Sequence, residues 1–593
     1  MAVKQRTPLV NFDDIPGELP RDNVVPADTQ LAGVAEAVLS KLNDLQSSNF
    51  TEYAIWRDLL AFTGTYRTFQ SQRTVYDTLQ HLSQRKQRSA FRLKDDNAHS
   101  EPRVAHSLAD CSWVDIDVLF STREDDDDLV GRCAGTVSVT LCPDGEWRIW
   151  MLRTWLQCFD GHGHPDVLDP ANGVITNGHV EHTAANGTQT GTEHFDAVIV
   201  GGGQAGLSTA GRLKALGVKY VLLERHHEIG NVWASRYESL RWHTSKEYGV
   251  LPFGHTYPAE DDYMLPAKRI GAGHKSWAEK YGINVRTSTS VESATWDDAS
   301  KTWTIETSSP NGISKLKARD LVLAIGPGHQ TPISPTWATP DKVAASGFKG
   351  TLLHSTSYKS CKPWAGQRGV VVGTANTGHD VAEDMANAGM ATTMVQRGAT
   401  FIFPVEWLHA AEDLHYHADA DASEADELTF TYPNKIMREM INRQVWAGIA
   451  ASPDRFDALE KAGFKVDRFG DIYNNLYVRF GGHYVDIGCS ARIAKGEIKV
   501  KTQVVKTLTE TGLLFEDGSE VGADLIVLGT GFDHDFRNDA ARIVGREVAE
   551  QMDSYWGVDG EGEVRGLAKF AGRKSDCIWY SMFNVRRQSA DRR

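Results

Sequence analysis

The chain has 593 residues, too many for one compact core, so two to four domains are expected. Apolar residues make up 41% and charged residues 24%, a globular composition, and the net charge of −15 argues against nucleic acid or an anionic membrane surface as the main partner. Seven cysteines without a C-x-x-C pair fit a reducing compartment and exclude dithiol redox chemistry, and no apolar run approaches the ~18 residues of a membrane span. The start of the chain carries no secretory apolar core, which makes the cytoplasm the expected location.

Residues 1–30 are rich in Pro and Asp without periodicity and read as an extended arm. Residues 31–170 read as an α+β domain. Leu31, Val34, Val38, Leu42 and Leu45 share a helical face, and helical spacing continues through Tyr53–Leu60 and Thr68–Leu82. Alternation then takes over in Trp113–Phe120 and Gly135–Leu141, and a turn at Pro143–Glu146 leads into the aromatic strand Trp147–Leu156. Trp147, Trp150 and Trp155 read as core aromatics. The acidic run Asp125–Asp128 lacks calcium-loop spacing and reads as a solvated loop. Residues 171–194, rich in Gly, Asn, Thr and His, form a linker.

The next stretch, Phe195–Glu224, is a strand, a turn Gly201-Gly202-Gly203-Gln204-Ala205-Gly206, a small-residue helix and a second strand. This is G-x-G-x-x-G in its βαβ context. Gly201 makes the tight turn, Gly203 lets a pyrophosphate approach the backbone, and Gly206 lets helix and strand pack closely. Glu224, eighteen residues past Gly206, is placed to bind ribose hydroxyls. His226 and His227 lack partners at metal-ligand spacing, and no metal site is expected. Val285–Trp296 and Trp303–Thr307 alternate like an antiparallel unit, and Leu321–Ile325 is a buried strand.

A second βαβ signal follows: strand Gly369–Val372, turn Gly373-Thr374-Ala375-Asn376-Thr377-Gly378, a helix, and strand Ala391–Val395. Here Arg397, nineteen residues past Gly378, stands where Glu224 stands in the first unit. An arginine pairs with a 2′-phosphate that a glutamate repels, so the first site should take FAD or NAD and the second NADPH. Leu525–Leu528 with Gly529-Thr530-Gly531-Phe532 reads as a late strand returning to the first sheet. The expected fold is α/β: two Rossmann-like units, an FAD domain (195–335 and 481–593) with an inserted NADPH domain (336–480), behind the α+β domain.

Between the turns, Phe348-Lys349-Gly350 with His354 and Tyr358 matches F-x-G-x-x-x-H-x-x-x-[YF], the motif of class B flavin-dependent monooxygenases. From Phe195 to Phe532 the chain resembles flavin-containing monooxygenases, including the plant YUCCA-type enzymes and their fungal and bacterial relatives. Further support comes from His243-Thr244-Ser245-Lys246-Glu247, the block Gly481–Gly488, Gly496–Val500 and Leu528–Phe532. By the order of its elements, the first domain resembles the nuclear-transport-factor-2-like (SnoaL-like) family. The resemblance implies that Gly201, Gly203, Gln204, Gly206, Glu224, Arg225, Trp233, His243 and Gly531 hold FAD. Gly373, Ala375, Asn376, Thr377, Gly378, Arg397, His354 and Tyr358 would hold NADPH. It also implies hydride transfer to the flavin, a flavin hydroperoxide from O2, and oxygen transfer to a small organic substrate, as in N,N-dimethylaniline oxygenation. His243 would be the catalytic residue, bonding flavin or peroxide.

The chain departs from the family in places. Animal-type members carry Asn at the position of His243, and the second turn has Ala375 for Gly. Ala324-Ile325-Gly326 replaces A-T-G, and the family's continuation after Ile578–Tyr580, with its closing helix, is missing. Baeyer–Villiger members usually carry Trp where this chain has Tyr358, which favours heteroatom or carbon oxygenation over ketone oxygenation. An NADPH oxidase or reductase, or a non-enzymatic flavoprotein with a ligand-binding first domain, would share the same turns. Substrate-pocket residues are expected from Phe401–Trp407 and Asn434–Ala451.

Overall fold

A computed structural model describes residues 10–94, 101–123, 129–171, 192–326, 331–552, 557–565 and 578–580. The acidic run Asp125–Asp128 and most of the expected linker lie outside the described residues, as does the chain beyond Tyr580.

The first unit wraps helices α1 (Leu31–Asn43) and α2 (Gln72–Arg85) against a sheet of seven strands. These are β1 (Phe50–Leu59), β2 (Tyr66–Gln70), β3 (Arg92–Leu93), β4 (Arg103–His106), β5 (Ser112–Arg123), β6 (Val130–Leu141) and β7 (Trp147–Phe159). Their order is β2-β1-β7-β6-β5-β3, with β4 also on β5. Two expected helices need correction. Tyr53–Leu59 belongs to β1: from Ala54 to Asp58 every residue is buried, so both faces are covered, which erases the alternation that marks a half-buried strand. In Thr68–Leu82 the first residues complete β2, and the helix starts only after Ser71, which sits at φ 80° and caps it by accepting from the Thr74 N–H. Trp150 is fully buried against Trp113, ring centroids 5.1 Å apart, and Trp155 is also buried, as core aromatics should be.

The second unit is built on the parallel strands β8 (Glu193–Val200), β9 (Tyr220–Leu223) and β10 (Val285–Arg286), with α3 (Gln204–Ala215), α4 (Asn231–Ala234) and α5 (Ala267–Lys280). β11 (Ser290–Asp297), β12 (Thr302–Ser309) and β13 (Gly312–Leu323) form the expected antiparallel meander, whose last strand lies parallel to β8. The third unit is an all-parallel sheet of β14 (Thr351–His354), β15 (Arg368–Val372), β16 (Ala391–Val395), β17 (Ile498–Lys501) and β18 (Leu525–Leu528). The helices α6 (Asn376–Asn387), α7 (Val405–Glu412), α8 (Ala422–Phe430), α9 (Asn434–Ala451) and α10 (Ile472–Tyr477) belong to this half of the chain.

The strand Leu525–Leu528 does not return to the first nucleotide sheet. It inserts between β14 and β15, so the third unit's sheet takes in residues well past 480. An all-apolar run of four fits either parallel sheet, and here its flank is joined to the start of β15, where the Asp524 carboxylate binds Arg368 at 2.6 Å and the Asp524 N–H donates to Arg368 O at 2.9 Å. The strand that does join the first nucleotide sheet is β19 (Ile578–Tyr580), parallel to β13.

The described part of the arm, which includes a 3-10 turn at Phe12–Asp14, is strapped down. Phe12 is fully buried in the second unit's core beside Tyr473, while Leu19 packs with Trp150 of the first unit and Ile436 of α9. α9 fills the space between units, with Val445 and Ile449 in the third unit's core. Among the described residues no helix is long and apolar enough to cross a membrane.

Candidate dinucleotide sites and the contact between them

The two glycine turns are built by the same bonds. In the first, Gly201 N–H donates to Leu223 O at 2.8 Å and Ala324 N–H to Val200 O at 2.9 Å. In the second, Gly373 N–H donates to Val395 O at 3.0 Å and Gly529 N–H to Val372 O at 2.8 Å. The first glycine of each turn has positive φ, +108° at Gly201 and +119° at Gly373. A Cβ on Gly206 would lie 1.9 Å from Gly201 O, and one on Gly378 would lie 2.2 Å from Gly373 O, so both helices are pressed onto their turns.

The middle position behaves differently. Gly203 caps α3 at φ −79°, ψ −173°, and a Cβ there would meet nothing within 4 Å. Ala375 caps α6 at φ −85°, ψ −173°, nearly the same conformation. Neither position needs glycine for its backbone. The empty space over Gly203 is the room that a pyrophosphate would fill above the first free N–H groups of the helix. Gln204 and Asn376 are the first residues of the two helices, and Thr377 follows Asn376.

The acceptor ends differ in charge. Glu224 is buried, with Oε2 accepting from Gly202 N–H at 2.7 Å and Oε1 from His226 N–H at 2.8 Å. Two backbone donors thus fix the carboxylate beside the turn, and each oxygen keeps a lone pair for a ribose hydroxyl. Arg225 is exposed next to it. Arg397 follows β16, exposed and with no ion-pair partner among the described residues. Its neighbour Gln396 is buried and anchored by Nε2 to Lys465 O at 2.8 Å, which fixes the strand end that presents the arginine. The donor sets fit the two groups expected: a ribose without phosphate at the first turn, a 2′-phosphate at the second.

Other expected site residues cluster where the second unit crosses the third. Trp233, on α4, stands edge-on to Trp242 at 5.9 Å, and both Tyr237 and Leu240 are buried in the third unit's core. His243 lies with its side chain 10% exposed, Nε2 3.4 Å from Asp380 Oδ1 on α6. Its carbonyl accepts from His409 Nε2 of α7 at 2.8 Å. Asn376 turns its Oδ1 to Val485 N–H at 2.8 Å, linking the second turn to the Gly481–Gly488 block.

The motif residues His354 and Tyr358 part company. His354 ends β14 with its ring against Phe532 at 5.3 Å, and burial pushes its imidazole pKa down, so it stands neutral beside Gly531. Gly531, at φ +80°, pairs through its carbonyl with Ile333 N–H at 3.0 Å, on the crossing between the two nucleotide units. Tyr358 is fully buried, and its hydroxyl is bonded to Asp384 of α6. Burial and that carboxylate raise its pKa, leaving a neutral tyrosine that anchors the connecting segment under α6.

Two functional-looking side chains carry no local sequence signal. Asp380 accepts from Tyr237 Oη at 2.7 Å besides facing His243. Glu412 on α7 is buried, accepts from Ser245 N–H at 2.9 Å, and is pushed up to about 7 by burial. Both partners lie more than a hundred residues away in sequence. Of the expected pocket segments, Phe401–Pro404 is a strand paired with His483–Asp486 and Val405 begins α7, so the first is core and only the helix reaches the contact zone. No cluster of metal-ligating side chains occurs among the described residues.

The pyridine nucleotide-disulphide oxidoreductase family matches residues 198–410, which covers both turns. Indole-3-pyruvate monooxygenase YUCCA1 of Oryza sativa subsp. japonica is 29% identical over 348 residues, 57% of this chain and 76% of that protein. FAD-containing monooxygenase EthA of Mycolicibacterium smegmatis is 27% identical over 379 residues, 57% of this chain and 70% of that protein. A flavin-containing monooxygenase from Stenotrophomonas maltophilia superposes with a TM-score of 0.43 at 18% identity, covering 66% of this chain and 90% of that one. Through the region that carries both dinucleotide turns, the chain is a relative of the flavin-dependent monooxygenases.

Proposed function

We propose that the chain is an FAD- and NADPH-dependent monooxygenase that transfers one atom of O2 to a small organic substrate. The observation that carries this reading is the pair of equivalent turns with opposite acceptor ends, Glu224 fixed by two backbone N–H groups and Arg397 exposed and without an ion-pair partner among the described residues. Gly201, Gly203, Gln204, Gly206 and Glu224, with Arg225, Trp233 and Gly531 around them, would hold FAD. Gly373, Ala375, Asn376, Thr377, Gly378 and Arg397 would hold NADPH, with His354 and Tyr358 shaping the connection. The flavin supplies hydride acceptance and oxygen activation when bound.

The chain's own part is to bind, orient and exclude water. Each helix N-terminus offers N–H donors to a pyrophosphate, and the two turns sit at the carboxyl edges of their parallel sheets, where ligands bind in such folds. The segment 231–247 crosses from one unit to the other, held by the Glu238 N–H to Lys359 O bond at 2.9 Å and the Ser245 bond to Glu412. His243 is the one expected catalytic side chain on this crossing, and it would exchange a hydrogen bond or proton with the reacting group. The α+β domain and α9 would close the substrate side.

The purified chain should be yellow with FAD and should oxidise NADPH in air. Adding a soft nucleophile such as N,N-dimethylaniline should divert electrons from hydrogen peroxide to an oxygenated product. Peroxide release that no added amine, sulfide or ketone suppresses would make the chain an oxidase.

A further inference from the structure

One carboxylate on α6 has no part in nucleotide binding as described above. Asp380 lies on α6 two residues past Gly378, largely buried, with its two oxygens divided between two residues of the other unit. Oδ2 accepts from Tyr237 Oη at 2.7 Å, and Oδ1 lies 3.4 Å from His243 Nε2. Tyr237 is itself nearly fully buried, so its hydroxyl has to donate to a fixed acceptor, and that fixes the carboxylate. The His243 carbonyl is separately pinned by His409. The other polar groups around this spot include His379, stacked on Tyr484 at 3.7 Å, the buried Asp486, and His483 and Glu383 beyond, while the Tyr484 ring stands edge-on to His243 at 6.4 Å. Burial holds His379 and His483 neutral near pH 7, so Asp380 is the group in hydrogen-bonding range of the Nε2 edge.

A carboxylate that already accepts from a tyrosine can only accept again, so the imidazole must turn an N–H towards it. In neutral histidine this puts the proton on Nε2 and the lone pair on Nδ1. Nδ1 of His243 has no hydrogen-bond partner among the described residues, and the side chain as a whole is 10% exposed, which leaves the 3.4 Å approach of Nε2 to Asp380 as the polar contact of its ring.

We propose that Asp380 is a positioning residue for the reaction, fixing His243 as the Nε2–H tautomer so that its Nδ1 lone pair faces the space between the two nucleotide units. The inference rests on the monooxygenase reading for its kinetic consequence, and on geometry alone for the pairing. Because Asp380 belongs to the helix that the second turn opens, a nucleotide held at that turn and the orientation of His243 are carried by one rigid element.

The pairing is tested in the FAD-loaded full chain labelled with 15N-histidine, with the His243 signal assigned by its loss in His243→Gln. The wild type should show the Nε2–H tautomer, Asp380→Ala should lose it, and Tyr237→Phe should keep it. An Nδ1–H tautomer in the wild type, or an unchanged signal in Asp380→Ala, overturns the proposal. The kinetic arm uses NADPH-driven oxygen consumption. Asp380→Ala and His243→Gln should each lower kcat about 10-fold with little change in KM for NADPH, and the double variant should fall no further. Additive losses would give Asp380 a role independent of His243 and overturn the positioning. Should Asp380→Ala fail to fold, Asp380→Asn preserves the volume and the Tyr237 bond and is read by the same two measurements. A wild type that consumes no oxygen would count against the function proposed above, and the tautomer would still decide the pairing.

Discussion

At the scale of single residues, the middle glycine of the first turn separates folding from binding. A Cβ on Gly206 would collide with Gly201 O at 1.9 Å, whereas one on Gly203 meets nothing within 4 Å. Gly203→Ala should therefore leave the melting temperature of the flavin-free chain unchanged and weaken FAD binding by at least about 10-fold, some 1.4 kcal/mol, in a flavin-fluorescence titration. Gly206→Ala should lose the fold of the turn altogether. Arg397→Ala should raise KM for NADPH about 10- to 100-fold and leave KM for NADH nearly unchanged, the loss of one charged hydrogen-bond pair. Equal effects on both coenzymes would remove the phosphate from Arg397. Gly201 and Gly206 were readable in the sequence because positive φ at the first and close approach at the second leave glycine as the fitting residue, Gly203 because of its place in the same spacing, and Glu224 and Arg397 because the acceptor end falls at a fixed distance along a βαβ unit. Asp380, Tyr237 and Glu412 were not, because their partners lie across the join between units and no local spacing encodes them.

Elements were legible where the residue types themselves alternate and ambiguous where they do not. The strands Ser112–Arg123 and Val130–Leu141 could be read from apolar residues alternating with Asp, Ser and Thr, although much of each is buried on both faces, whereas Phe50–Leu59 has helical spacing by coincidence. Leu525–Leu528 shows the same limit in a parallel sheet: its residues specify a buried strand, and nothing in those four apolar side chains specifies which sheet it enters. The way the first unit docks was also invisible beforehand. Arg57 of β1 forms a buried two-point pair with Glu563, 2.8 Å for each bond, and its other nitrogen donates to Phe430 O and Tyr432 O at 2.8 and 2.7 Å. Removing one partner leaves a buried charge unpaired, so Glu563→Gln should destabilise the chain by about 3–5 kcal/mol in urea unfolding. Replacing both residues with apolar side chains of similar volume should recover most of that loss. A double variant as unstable as Glu563→Gln alone would show that the pair itself, and not the stranded charge, holds the unit on.

For the molecule as a whole, buried titratable groups set the response to acid. His274, His379 and His483 are each pushed down to about 4 from an ordinary 6.5 by burial, so the unfolded chain binds their protons first. Their stabilising contribution is complete above about 6.5 and is lost as pH falls towards 4. Glu412 works the other way. Its folded value of about 7 lies above the ordinary 4.5, so its contribution is complete below 4.5 and lost as pH rises through 7. Among these four groups, three histidines against one carboxyl leave the unfolded state about two protons ahead, so they should make stability fall by about 3 kcal/mol per pH unit between pH 6.5 and 4.5, and the lowered His354, His415 and His534 act in the same direction. Glu412→Gln should steepen that fall and stabilise the chain at pH 8, where the wild type buries a charge. A variant that is no more stable than wild type at pH 8 would place Glu412's proton elsewhere.

The same two-unit architecture underlies the account of function. Two equivalent turns, one ending in a fixed carboxylate and the other in an exposed guanidinium, flank a crossing segment that carries His243. The most direct test is to reduce the FAD-loaded chain with NADPH without oxygen, mix it with oxygenated buffer, and record flavin absorbance with time. The account predicts a transient whose spectrum is neither that of reduced nor that of oxidised flavin, and which a suitable substrate shortens. Direct, single-phase return to oxidised flavin, with one hydrogen peroxide per NADPH whatever substrate is present, would contradict it.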